Sequence, residues 1–349
     1  MTDPPALSRS TDAACPRGNA LATQHLTPDS PGGGSLNDQP TSFLCQPGAC
    51  GHLTIARLTL HDPARSKKLQ LRVSYPAAEG MYPTIVFSHG ASGSKDAYQP
   101  LISYWVTHGY VCIQPTHGDS LTLLTREERR RFATLFDYIC SSHVRDQWRS
   151  RVEDVQFVLD CLPEIAARET SLQRRLDPSR IGMGGHSFGS QTAQLVAGMS
   201  LRLPDTPERF SQPDARPGAF MMLSPQGPGG TIDDDSWSQM VRPTFMATGS
   251  NDNSSKGRPH TWRMEAFARL PAREKYLLFI HDGHHDFGGI SGSRYPWAGP
   301  HNPQHVECVR AATLAFWDAH LKDDAAARSY LQTDALAAAS QGMARISFA

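Results

Sequence analysis

Three residue types scattered along this chain can do acyl chemistry together: Ser187, Asp252 and a histidine at 284 or 285. Ser187 sits in Gly185-His186-Ser187-Phe188-Gly189, a G-x-S-x-G pentapeptide. A short apolar run from Ile181 leads into it, and residues 191–198 behind it read as a helix. A serine on a sharp strand-to-helix turn takes a strained backbone pose with its hydroxyl exposed. Glycines flank it where strand and helix pass too close for a Cβ. Ser187 is therefore a candidate nucleophile. The pentapeptide alone is a weak signal in a chain with 28 glycines, and the plain alternative is a Gly-rich turn with a capping serine.

A serine hydroxyl is a poor nucleophile at neutral pH, so a neutral imidazole must take its proton and a carboxylate must orient that imidazole. Asp252 follows an apolar run through Thr248-Gly249-Ser250-Asn251, a turn with no competing acid. Asp282 and Asp286 rival it only by nearness in sequence to the histidines. His284 and His285 close a further apolar run at residues 275–280. The order Ser, Asp, His is one of three common triad orders. An oxyanion formed at the carbonyl needs two preorganised N–H donors. Phe188, just after the nucleophile, is one candidate, and Ala91 in His89-Gly90-Ala91 is the other. Gly90 would let the backbone come near a substrate.

The elements that must position these residues are legible from periodicity. Residues 53–60 and 68–75 alternate apolar and polar, as an edge hairpin does. Residues 84–88, 111–114, 219–223, 243–248 and 275–280 are short apolar runs of the buried-strand kind. Residues 101–108, 151–162 and 305–321 have helical patterning, and Arg151 and Asp154 read as an ordinary helix ion pair. Buried strands alternating with helices predict an α/β fold, a mostly parallel central sheet with helices on both faces. Function in such sheets gathers at the carboxyl ends of the strands. Residues 41–349 read as a single domain with a cap segment at 117–150, where the charge run at 125–131 is a solvated helix face or part of the cap. Residues 1–40, rich in Pro, Gly, Ser and Thr, read as a disordered tail or the product of a misassigned start.

Bulk properties remove other classes. Lys plus Arg number 34 and Asp plus Glu 34, so no basic stripe points to nucleic acid. No apolar run approaches the roughly 18 residues of a membrane helix, and no secretory signal is evident. The 7 cysteines are odd in number and scattered, unlike a secreted disulfide framework. Cys45 and Cys50 could close a small loop; Cys112, Cys140 and Cys161 read as buried thiols. The setting this favours is reducing and cytoplasmic.

The motifs together resemble the α/β-hydrolase superfamily, in its dienelactone-hydrolase-like and platelet-activating-factor-acetylhydrolase-like branch. The matching pieces are Phe87-Ser88-His89-Gly90-Ala91, His108-Gly109-Tyr110-Val111, Pro115-Thr116-His117-Gly118-Asp119-Ser120, the Ser187 pentapeptide, Thr248 to Asp252, and His284-His285-Asp286-Phe287-Gly288-Gly289. The likeness spans about residues 50–325. It implies the α/β-hydrolase fold, an ester hydrolase with a triad of Ser187, Asp252 and a histidine, a small-molecule substrate, and no metal or organic cofactor. In similar sequences the base lies three residues before an apolar anchor. That favours His284, anchored by Phe287, with His285, Phe287 and Gly90 lining the pocket. Three rival readings stand beside it. The ligand-rich cluster His281, Asp282, His284, His285 and Asp286 could serve a metal hydrolase, although its spacing fits neither H-E-x-x-H nor a Cys-His zinc site. The same machinery serves amidases and thioesterases. A non-catalytic binding protein of the same fold is the third.

Overall fold

The computed structural model describes residues 46–203, 206–271 and 273–349. The expected tail at 1–40 and Cys45 lie outside them. A nine-stranded sheet runs through the whole described chain. Its strands are β1 (His52–Asp62), β2 (Lys67–Pro76), β3 (Tyr82–Ser88), β4 (Val111–Thr116), β5 (Leu176–His186), β6 (Pro217–Leu223), β7 (Thr244–Asn251), β8 (Lys275–His284) and β9 (Ala344–Phe348). In space they lie in the order β1-β2-β4-β3-β5-β6-β7-β8-β9. Strands β3 to β8 are mutually parallel, while β1, β2 and β9 join antiparallel at the edges.

The interior strands read as continuous apolar runs because both faces are covered, and their alternation splits the core in two. Val86, Met183, Met222 and Met246 face one apolar cluster. That cluster holds Val152, Val155 and Val158 of helix α2 (Trp148–Asp160) and Ala193 and Val196 of α3 (Phe188–Ala197). Ile85, Phe87, Met221 and Phe245 face the other. There Ile102 and Trp105 of α1 (Gln99–Thr107) meet Phe316 and Trp317 of α5 (Pro303–Leu321). Helix α4 (Thr261–Arg269) adds Ala266 to the first cluster.

Parallel strands end together. The carboxyl ends of β3 to β8 bring His89, His117, Ser187, Ser224, Asp252 and His285 to one edge of the sheet. Residues 117–150 follow β4 as a short turn and three short helices, Arg126–Arg129, Leu135–Cys140 and Ser142–Arg145. Residues 125–127 of the charge run are exposed to solvent. The segment is tied down where Leu121 N–H donates to Ser92 O at 3.1 Å and Tyr138 O–H donates to Asp119 O at 2.7 Å.

Several local expectations change. Cys112 and Cys161 are buried, but Cys140 is exposed at the end of its short helix. Strand β8 continues four residues past the apolar run, to His284. Arg151 and Asp154 do not pair with each other. Arg151 reaches Asp119, and Asp154 takes Lys67, Arg65 and His117. Both sit at full burial on the inner side of α2, where a charge needs a partner from a neighbouring element. No helix among the described residues is long and apolar enough to cross a membrane.

Candidate active site

Ser187 is the single residue between β5 and α3, with φ 57° and ψ −115°. Few non-glycine residues adopt a positive φ; such strain is kept only where surrounding structure enforces it. The enforcement here is close packing. A Cβ on Gly185 would lie 2.2 Å from Gly189 O, and one on Gly189 would lie 2.0 Å from Ser88 O. Ser187 N–H donates to Leu223 O at 2.9 Å, which fixes the turn to β6.

His285, one residue past β8, lies 2.9 Å through Nε2 from Ser187 Oγ and 2.7 Å through Nδ1 from Asp252 Oδ1. The expectation of His284 in this place is therefore corrected to His285. Successive residues of an extended chain point to opposite sides, so only one of two adjacent histidines can reach the serine. His284 is still paired in the sheet, opposite Asn251. Its Nε2 is 3.4 Å from Asn251 Nδ2, away from Ser187. The apolar anchor sits two residues beyond the histidine that meets the serine, not three.

Asp252 is fully buried. Its second oxygen accepts from Ser224 Oγ at 2.7 Å and Thr248 Oγ1 at 3.1 Å, and pairs with Arg263 Nε at 3.0 Å. Burial by itself would raise this carboxyl. Arg263 and His285, with these hydrogen bonds, outweigh it and hold it below the usual carboxylate range. Arg263 also donates to Asp252 O, Ser224 O and Pro225 O, clamping two strand ends. Ser224, Thr248 and Arg263 were not anticipated. Ser224 carries a positional signal, since it stands just past the end of β6, whereas Thr248 lies within β7.

The rest of the ligand-rich cluster diverges. His281 and Asp282 are exposed. Asp286 turns inward to Ser291, accepting from its N–H at 3.1 Å and its Oγ at 2.9 Å. Burial raises Asp286 to about 6. No group of three His, Cys, Asp or Glu side chains converges to hold a metal among the described residues.

Phe188 opens α3, and the first N–H groups of a helix have no partner within it. Ala91 is half-buried on the loop after β3. Gly90 itself faces inward: its N–H donates to Tyr98 Oη at 3.0 Å. Tyr98 O–H donates to His186 Nδ1 at 2.8 Å, and His186 Nε2–H donates to His285 O at 2.7 Å. This chain links the Ala91 loop to the backbone of His285. Phe287, expected in the pocket, is fully buried beside His186, with ring centroids 6.2 Å apart. The physical reason is that it anchors the histidine loop from below. His285, also expected as a pocket residue, occupies the place between Ser187 and Asp252.

The buried imidazoles set an acid limit on stability. Burial first, and neighbouring charge second, pushes His186 to about 3 and His320 to about 4. Burial likewise lowers His89 and His117. A histidine held neutral contributes its full share above the unfolded value near 6.5 and loses it as pH falls, at up to about 1.4 kcal/mol per pH unit each. Asp286 has the opposite sign below about 6, but it is one group against several. The melting midpoint is expected to fall between pH 7 and pH 5. A flat or rising midpoint in a thermal scan across that range would contradict the account.

Residues 49–205 match the family model described as Chlorophyllase. The matched stretch carries Ala91, Ser187 and Phe188, and ends before Asp252 and His285. With a strained serine between β5 and α3, and with sheet order 1-2-4-3-5-6-7-8 followed by an added edge strand, the chain has the α/β-hydrolase fold, in keeping with that match.

Proposed function

We propose that the protein is a serine hydrolase that cleaves carboxylic esters of small molecules through an acyl-enzyme. The observation that carries this reading is the continuous array from Ser187 Oγ to His285 Nε2 at 2.9 Å and from His285 Nδ1 to Asp252 Oδ1 at 2.7 Å. Ser187 Oγ attacks the ester carbonyl while its proton passes to His285 Nε2. The N–H groups of Ala91 and Phe188 hold the oxyanion. Asp252 keeps the Nδ1–H tautomer and stabilises the imidazolium. The oxyanion collapses, the C–O bond to the alcohol breaks, and His285 gives its proton to the departing alkoxide. Water then attacks the acyl-enzyme, again losing a proton to His285. The carboxylic acid leaves and the proton returns to Ser187. In this reading every step uses side chains and backbone N–H groups of this chain and water, with no metal or organic cofactor.

The segment at 117–150 acts as a cap in this reading. Its support is Phe136, which is 45% exposed, with its ring 6.2 Å from Trp297 on the loop after His285. A fluorophosphonate probe tests the reading directly. One label per chain is expected, on the peptide containing Ser187 and in step with loss of p-nitrophenyl acetate hydrolysis. Active protein that resists the probe, or carries the label elsewhere, refutes it.

A further inference from the structure

The Arg151 guanidinium is fully buried, and its contacts gather beneath the loop after β3. Nη1–H donates to His89 O at 2.7 Å, and Nη2–H to Gly90 O at 3.2 Å. Nε and Nη2 grip both oxygens of Asp119 at 2.8 Å each. Asp119 Oδ2 in turn accepts the N–H of Ser92 at 3.0 Å. Burial alone would raise the Asp119 carboxyl, but the guanidinium overrides it and keeps it well below the usual range. The pair is therefore charged and fixed. It holds the carbonyl before Ala91 and the N–H after it.

A trans peptide sends its N–H opposite to its C=O. Gly90 O is held on the buried side by His89 Nδ1–H at 2.6 Å together with Arg151, which turns the Ala91 N–H away from it, out of the interior. The same guanidinium lies 4.3 Å over the ring of Phe188. One cation thus touches the carbonyl of the Gly90–Ala91 peptide and the ring of Phe188, the two places whose N–H groups serve the oxyanion in the reading above. Neither contact involves the outward N–H itself.

We infer that Arg151 is a positioning residue for the oxyanion donors, fixing the Ala91 peptide and the start of α3 together, with Asp119 as its counter-ion. The inference rests on the serine-hydrolase reading. Arg151 is not a catalytic residue, since it is sealed from substrate. Lysine cannot replace it: a point ammonium lacks the planar fork that meets two carbonyls and a carboxylate at once.

The test compares wild type with Arg151→Lys. Turnover of p-nitrophenyl acetate is expected to fall about 100-fold, the lower end for losing one oxyanion donor, while KM moves less than about threefold. Inhibition by butylboronic acid, whose tetrahedral adduct with Ser187 places an oxygen among the donors, should weaken by a similar factor. A purely structural role would not couple kcat to boronate affinity at constant KM. Unchanged kcat, or a fall in kcat with boronate affinity intact, overturns the inference. Should Arg151→Lys fail to fold, Phe188→Leu keeps the backbone N–H and removes the stacked ring. It is expected to lower kcat and boronate affinity together by about tenfold, and no change in either overturns the inference. Ser187→Ala separates the two ideas: an active Ser187→Ala removes the hydrolase reading, whereas an inactive one beside an unaffected Arg151→Lys removes only this inference.

Discussion

Ser187→Ala is expected to lower kcat for p-nitrophenyl acetate by about a million-fold, with the fold intact. The size follows from how a triad works: the attacking oxygen is lost, and the remaining groups cannot act without it. Hydrolysis above the solvent background would persist, because oriented donors and binding still favour attack by water, roughly 10³-fold or more. Stability should barely change. Alanine keeps the Cβ, so the positive φ costs the same as before, and the lost hydrogen bond to His285 is worth about 1 kcal/mol. A circular-dichroism melt within a few degrees of wild type would confirm that the loss is chemical. Retention of more than about one per cent of activity, measured on protein free of contaminating esterase, would remove Ser187 as nucleophile.

The second large effect separates two adjacent histidines. His285→Ala should cost about as much as Ser187→Ala, since base and nucleophile act as a unit. His284→Ala should keep activity within roughly tenfold, because its ring faces Asn251 and not the serine. Fluorophosphonate labelling should slow sharply in His285→Ala and stay near wild type in His284→Ala. The reverse ranking would mean that the working enzyme uses a loop arrangement other than the one described.

That pair also shows where sequence reading reaches its limit. The strand ends were legible because parallel strands buried on both faces are continuous apolar runs, and each stopped at a polar, chemically able residue. Ser187 was legible because its turn needs glycines two residues to either side. The choice between His284 and His285 was not, because it depends on where β8 stops pairing. The polar extension from His281 to His284 pairs with β7 only at its last residue, opposite Asn251, and no apolar pattern marks that. Arg151 misled for a related reason. A charged residue three positions from an acid on a helix reads as a local pair, whereas burial of that face sends each charge to a different element. Tyr98 carries no motif, and His186 fills only a variable position of the Ser187 pentapeptide. Their link between two loops exists only once β3 and β5 lie side by side with α1 packed against them.

The strand β9 has a consequence for handling the protein. Ala349 and Lys275 exchange both backbone hydrogen bonds, and His281 N–H donates to Met343 O. The last residues therefore zip along the same strand that delivers His285. Deleting residues 343–349 would leave β8 with a row of unsatisfied amides and carbonyls facing solvent, a template for self-association. A shortened chain should clump on concentration while its Ser187 turn, four strands inward, stays intact, and fusions at this end call for a spacer so that the zipper can close.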